Sequence, residues 1–218
     1  MITITAFKWV PPFAQGLVRD LRVRWALEEV GLPYEVRLIG HEDKGSKEYR
    51  VKQPFGQVPV FEEDGLTLFE SGAIVHHIAG RSEVLMPRDV HAQARITAWL
   101  FAALNSIEPM IMNLTQIDLF YSDQEWAKLR RPGALEAATR RLEALSAYLE
   151  GRDYLEGGFS VADLLMTAVL RIPRHTDLIA SMPVLDNYRQ RCESRPAFQK
   201  ALAAQLETFA ANAPADGE

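Results

Sequence analysis

The chain has 218 residues, 48% of them hydrophobic, and a formal net charge of −5. That length suits one large domain or two small ones, with enough apolar content for a sizeable core. The negative balance gives no basis for nucleic-acid binding, and no apolar run reaches the roughly 18 residues of a membrane span. Cys192 is the only cysteine, which excludes an intrachain disulfide framework and fits a reducing compartment. The N-terminus, Met-Ile-Thr-Ile-Thr-Ala-Phe, has neither a basic stretch nor a long apolar one, so no signal peptide is expected. These features predict a soluble, cytoplasmic protein. The histidines are scattered apart from His76-His77, and no Cys/His cluster has metal-ligand spacing, so no metal is expected.

In chain order, residues 2–7 alternate Ile and Thr as a short strand does. Residues 17–30 have the apolar spacing of an amphipathic helix, closed by Gly31 with Pro33 following. Residues 34–39 read as a second strand, and the β-α-β order predicts a parallel pair with a right-handed crossover. Residues 40–51 are polar and suit a surface loop or short irregular helix. Two apolar runs follow, Val58 to Phe61 and Leu66 to Phe69, separated by the turn chemistry of Glu62-Glu63-Asp64-Gly65. Pro59 cannot donate to a ladder, so it belongs at a strand start, edge or bulge. A cis bond at that place would leave the backbone groups of Val58 open to an extended peptide ligand. A helix from Ser71 to Gly80 is expected next, and its N-terminus favours a carboxylate.

Residues 81–90 lack long apolar runs and are predicted to link two domains, 1–80 and 91–218. Everything downstream has helical periodicity. Val90 to Leu119 is apolar on more than one side, with Pro109 expected to kink or divide it. Ser122 is placed as the cap of a further helix. Pro132-Gly133 suggests two pieces, the second running from Ala134 to Glu150 with Leu135, Leu142, Leu145 and Leu149 at core spacing. Ser160 and Asp163 have the spacing of a capping box before the apolar run 161–170. Pro183 to Cys192 and Pro196 to Ala211 each read as a helix with proline in its first turn. The tail 212–218 is expected to fray.

Gly56-Gln57-Val58-Pro59-Val60, followed by Leu68-Phe69-Glu70-Ser71-Gly72-Ala73-Ile74, resembles the glutathione-binding half of the glutathione transferase family. The stretch from Tyr154 through Asp163 resembles the capped core helix of that family's second domain. The resemblance implies an α/β plus all-α fold: a thioredoxin-like domain with a four-stranded mixed sheet, then a helical bundle. It implies glutathione as co-substrate, a small hydrophobic electrophile as second substrate, a detoxification role and a homodimer. Peroxidase or isomerase chemistry would use the same thiolate. By resemblance, Val58 pairs its main chain with the cysteinyl unit and Pro59 shapes the turn. Glu70 pairs with the γ-glutamyl ammonium and Ser71 donates to its carboxylate. Gln53 and Gln57 are expected at the glycyl end.

Family members usually place Tyr, Ser or Cys between the first strand and first helix, to stabilise the thiolate. A free thiol has a pKa of about 8.5 and is mostly protonated at neutral pH. Here the turn reads Lys8-Trp9-Val10-Pro11-Pro12-Phe13-Ala14-Gln15-Gly16, and the slots counted back from Gly31 fall at Leu17 to Arg19. None supplies such a group. Two expectations remain: Arg19 or Arg22 provides the positive charge, or backbone N–H groups near Phe13 to Gly16 hold the sulfur. The missing hydroxyl also admits a non-catalytic module that binds glutathione or a protein partner. Trp9, Phe13, Trp99, Ala103 and Met110 are expected to wall the second-substrate pocket, although aromatic residues at such spacing also suit plain core.

Overall fold

The computed structural model of the chain describes residues 1–214. The expected fraying of the tail therefore falls partly, at 215–218, outside the described residues. Residues 1–85 with the segment from Arg195 onward form one compact unit, and Met86–Ser194 form another.

The first unit is built on a mixed four-stranded sheet in the order β2-β1-β3-β4. Strand β1 (Ile2–Phe7) lies parallel to β2 (Tyr34–Ile39), with Ile2 opposite Tyr34 and Phe7 opposite Ile39. It lies antiparallel to β3 (Phe61–Glu63), which forms a hairpin with β4 (Leu66–Leu68). This is the thioredoxin-like arrangement that the order of elements implied. The hairpin turn is two residues long: Asp64 and Gly65 have φ 48° and 86°, as a primed turn requires. The ladder of β3 begins later than the apolar run, because Pro59 has no N–H to offer and Val58 precedes the paired residues.

Helix α1 (Asp20–Val30) supplies the crossover. It starts three residues after the expected Leu17. Gly16, at φ 77°, turns the backbone out of the helical path, and Leu17 N–H is already bonded to Ala14 C=O at 3.0 Å. A 3₁₀ turn (Asp43–Gly45) and the short α2 (Lys47–Lys52) fill the polar stretch, and α3 (Ser71–Ala79) packs on α1. The last helix, α9 (Pro196–Ala211), had been expected with the helical bundle and instead packs on α1. The Trp25 and Phe198 rings meet edge-on at 4.7 Å, and Arg195 binds Glu29 through both of its carboxylate oxygens at 2.6 and 2.7 Å. A boundary drawn from composition does not register such a return of the chain.

The second unit is all-helical. The apolar stretch from Val90 is divided into α4 (Val90–Ala102), a π-helical turn (Ala103–Ile107) and α5 (Glu108–Phe120). Pro109 sits in the first turn of α5, where its missing N–H costs nothing. Helix α6 (Glu125–Leu149) is capped by Gln124 rather than Ser122, and it runs unbroken through Pro132. Two pieces were expected there. The helix survives because Lys128 and Pro132 are exposed, so water can take the carbonyl that Pro132 leaves unpaired. Its buried face is Ala134, Ala138, Leu142, Leu145 and Leu149, with Leu135 only half-buried. Among the described residues no helix is long and apolar enough to cross a membrane.

Helix α7 (Val161–Leu170) packs on α4, α5 and α8 (Pro183–Glu193). Its capping box forms as the sequence implied. Asp163 Oδ2 accepts the N–H and the hydroxyl of Ser160, each at 2.9 Å. Its Oδ1 accepts the Leu155 N–H and the Tyr188 hydroxyl, also at 2.9 Å. Burial pushes the Asp163 carboxyl above its ordinary pKa, and these donors pull it back. Asp163→Ala strands buried donors on three residues. It is expected to cost at least about 3 kcal/mol in urea unfolding, against about 1 kcal/mol for Ser160→Ala. Equal losses in the two variants would show that the carboxylate is only a cap.

Candidate functional site

Three segments of the first unit carry the residues expected to bind glutathione. The first is the cis Val58–Pro59 bond ahead of β3. Val58 is buried with Ile39, Tyr49 and Val60, and Phe7 and Val18 pack against that cluster. The second segment, the turn entering α1 at Leu17 to Arg19, packs against the same cluster through Val18. Val60 C=O accepts the Thr5 N–H at 2.8 Å, fixing the stretch to β1.

The third segment is Glu70-Ser71. Glu70 caps α3 with φ 70° and ψ 111°, a conformation rare for any residue with a side chain, and its side chain makes no cap bond. Ser71 is buried in the first turn of α3, and its Oγ accepts a hydrogen bond from Arg22 Nη1 at 3.3 Å. Arg22 is itself buried. Its charge lies beside Ser71.

Arg19 is the N-cap residue of α1 and makes no side-chain cap bond there; it is half-buried. Asp20, in the first turn, is wholly buried and paired with Arg24 at 2.8 Å. Burial pushes the Asp20 carboxyl upward, against the pull of Arg24 and Gln205. In the preceding turn, Ala14 N–H bonds Pro11 C=O at 2.9 Å and Gln15 N–H bonds Pro12 C=O at 3.3 Å. Two of the N–H groups expected to hold the sulfur are thus used within the turn.

The remaining expected residues separate into two groups. Gln53 is buried at the end of α2, and its Oε1 accepts the Phe55 N–H at 2.7 Å, which commits that oxygen to the loop. Gln57 is exposed, and its C=O accepts the Tyr49 hydroxyl at 2.6 Å. Pro59 is buried, Trp9 half-buried, and Phe13 48% exposed. In the second unit, Trp99 donates to Glu156 Oε1 at 3.2 Å and packs on Tyr148 with ring centres 4.6 Å apart. Ala103 is fully buried at the start of the π-helical turn, and Met110 is half-buried on α5. Among the described residues there is no cluster of three or more His, Cys, Asp or Glu side chains placed to hold a metal ion.

Residues 13–80 match the glutathione S-transferase N-terminal domain, and residues 111–196 match the glutathione S-transferase C-terminal domain. Glutathione S-transferase 4 of Zea mays is 30% identical over 207 residues, spanning 90% of this chain and 92% of that protein. The chain belongs to the glutathione S-transferase family. A probable maleylacetoacetate isomerase 2 of Drosophila melanogaster is also 30% identical, over 83% of this chain and 81% of its own. Among solved structures, a glutathione transferase of Burkholderia graminis, with two glutathione molecules bound per subunit, superposes with a TM-score of 0.80. It is 25% identical and covers 99% of this chain and 89% of its own.

Tyr49 lies in the apolar cluster with Val58, and its hydroxyl is spent on Gln57 C=O. Its pKa is pushed up to about 12 by burial and by Glu62. An activated phenol would be shifted the other way. Two features escaped the sequence reading: the Arg22–Ser71 bond and the contact of Gln205 with the entrance of α1. Arginine at position 22 is as common on a solvated helix as in a buried one. Gln205 lies more than 180 residues away in sequence.

The Glu70 backbone carries a measurable consequence. Glycine tolerates φ 70° without strain, whereas alanine retains a strain of about 1–3 kcal/mol. After allowing for the greater freedom of an unfolded glycine chain, Glu70→Gly is expected to be about 1 kcal/mol more stable than Glu70→Ala. Thermal unfolding of the two variants decides it. A glycine variant no more stable than the alanine one would mean that Glu70 is not strained.

Proposed function

We propose that this glutathione S-transferase binds glutathione on its first unit and stabilises the thiolate for attack on a small hydrophobic electrophile. The observation that carries this reading is that the start of α1 is tied both to Ser71, through Arg22, and to the cluster that contains Val58, through Val18. Val58 offers its N–H and C=O to the cysteinyl unit, as in strand addition. The N-terminus of α3 and the Ser71 hydroxyl take the γ-glutamyl carboxylate, with the Arg22 guanidinium behind Ser71 adding charge. Glu70 pairs with the γ-glutamyl ammonium, and Gln57 lies toward the glycyl end.

Arg19, the N-cap residue of α1, is the cation assigned to the sulfur, and Arg22 is assigned to Ser71. A guanidinium beside the sulfur favours the thiolate. The thiol proton leaves to solvent, a sulfur–carbon bond forms, and the electrophile's leaving group departs with its bonding electrons. Isomerisation uses the same thiolate by reversible addition, which the similarity to a maleylacetoacetate isomerase favours. Phe55, 64% exposed, and Phe69 form an edge-on aromatic pair with ring centres 6.2 Å apart. That patch suits pairing with a second copy of the chain. A reduced tripeptide as co-substrate implies a reducing compartment, in line with the expected cytoplasmic location.

The absence of Tyr, Ser or Cys from the turn at 8–19 favours a second reading, a module that binds glutathione without chemistry. A glutathione-affinity column followed by an aryl-halide conjugation assay separates the two. Retention with turnover is expected, and Glu70→Ala should abolish retention without unfolding the protein. Arg19→Ala should raise the pKa of the bound thiol and slow conjugation while retention persists. Retention without turnover would establish the module, and no retention would refute both readings.

A further inference from the structure

The turn that enters α1 is held from the far end of the chain. Gln205, on α9, is wholly buried. Its Nε2 donates to Val18 C=O at 3.3 Å and to Asp20 Oδ1 at 2.7 Å. Val18 C=O also accepts the Leu21 N–H at 3.0 Å, and Asp20 Oδ2 accepts Arg24 Nε at 2.8 Å. One amide thus grips the residues on both sides of Arg19. These are the positions at which the resemblance led a hydroxyl to be expected, and this chain has none there.

This node is poor as a stabilising device. Gln205 Oε1 and Arg24 Nη2 are buried with no hydrogen-bond partner among the described residues. Unpaired buried polar atoms cost stability, and the Gln205 Nε2 bond to Asp20 offsets only part of what burying this cluster costs. Polar groups kept against stability are expected where geometry matters to function. The Trp25–Phe198 ring contact joins α9 to the middle of α1, and two ion pairs join it to the far end: Arg195 to Glu29, and Lys200 to Glu28 at 2.7 Å. Those ties dock α9 without touching the turn.

We infer that Gln205, acting with Asp20, is a positioning residue that holds the Val18–Arg19 turn where it receives the glutathione sulfur. The inference rests on the reading of the site as a glutathione thiolate site. Through this contact α9 sets the electrostatics at the sulfur, because a main chain held rigidly presents its dipoles without reorganisation.

The test uses the full chain and three readouts: the thiolate absorbance of bound glutathione against pH, the affinity for S-methylglutathione, which has no thiol, and the thermal midpoint. In Gln205→Leu the thiol pKa is expected to rise by about one unit, leaving about tenfold less thiolate at low occupancy of the ionised form. S-methylglutathione affinity should be nearly unchanged. Arg195→Ala should lower the thermal midpoint and leave the thiol pKa where it is. Should Gln205→Leu fail to fold, Gln205→Asn keeps the amide but withdraws it by one methylene, and the same pKa rise is expected. An unchanged pKa in a folded Gln205 variant overturns the inference, as does an equal rise in Arg195→Ala. If the wild type binds neither ligand, the glutathione reading itself fails, and that outcome is distinct because it shows before any variant is made.

Discussion

Helix α1 is buried along most of its length, and it carries three charged side chains into that environment: Asp20, Arg22 and Arg24. A charge removed from water must be paired or bonded, and the penalty for failing to do so is several kcal/mol. The surrounding structure answers this demand. Asp20 and Arg24 neutralise each other one turn apart, Arg22 reaches Ser71 at the start of α3, and Gln205 brings α9 to Asp20. Toward the other end, Glu28 and Glu29 take Lys200 and Arg195. Satisfying α1 therefore places the first residue of α3 and docks the last helix of the chain.

The same constraint shapes the site. Ser71 is the residue proposed to meet the γ-glutamyl carboxylate, and it is fixed by a buried guanidinium rather than left to solvent. The stretch at Val58 is fixed differently, by a small apolar cluster and by Tyr49, whose phenol is consumed as a strut. Anchoring the peptide and activating its sulfur are separate physical tasks. The first needs donors and a paired edge, for which Val58, Glu70 and Ser71 are suited. The second needs positive potential at the sulfur, which the proposal assigns to Arg19 and the main chain at the start of α1, where residues 8–19 include no Tyr, Ser or Cys.

Many local signals in the sequence held, although Ser122 is not the cap of α6 and α1 starts three residues after Leu17. The Asp64-Gly65 turn, the Pro59 strand start, the Ser160–Asp163 box and the prolines opening α8 and α9 all act through neighbours a few residues away, so their chemistry can be read in place. Where interactions span the chain, the reading fell short. The burial of Arg22 depends on a serine 49 residues on, and the return of α9 to α1 depends on contacts about 185 residues apart. The continuity of α6 across Pro132 was also hidden, because it reflects solvent access to one carbonyl and the burial of Ala127, Ala134 and Ala138. The positive φ of Glu70 leaves no trace in its residue type.

A crystal structure of the full chain with glutathione bound tests the central claim most directly. The cysteinyl N–H and C=O should lie opposite those of Val58, with the γ-glutamyl end on Glu70 and Ser71. The sulfur should lie at the start of α1, with no side-chain hydroxyl in hydrogen-bonding reach. A sulfur held by a tyrosine or serine hydroxyl, or a γ-glutamyl group bound away from α3, would contradict the division of labour described for Val58, Ser71 and the entrance of α1.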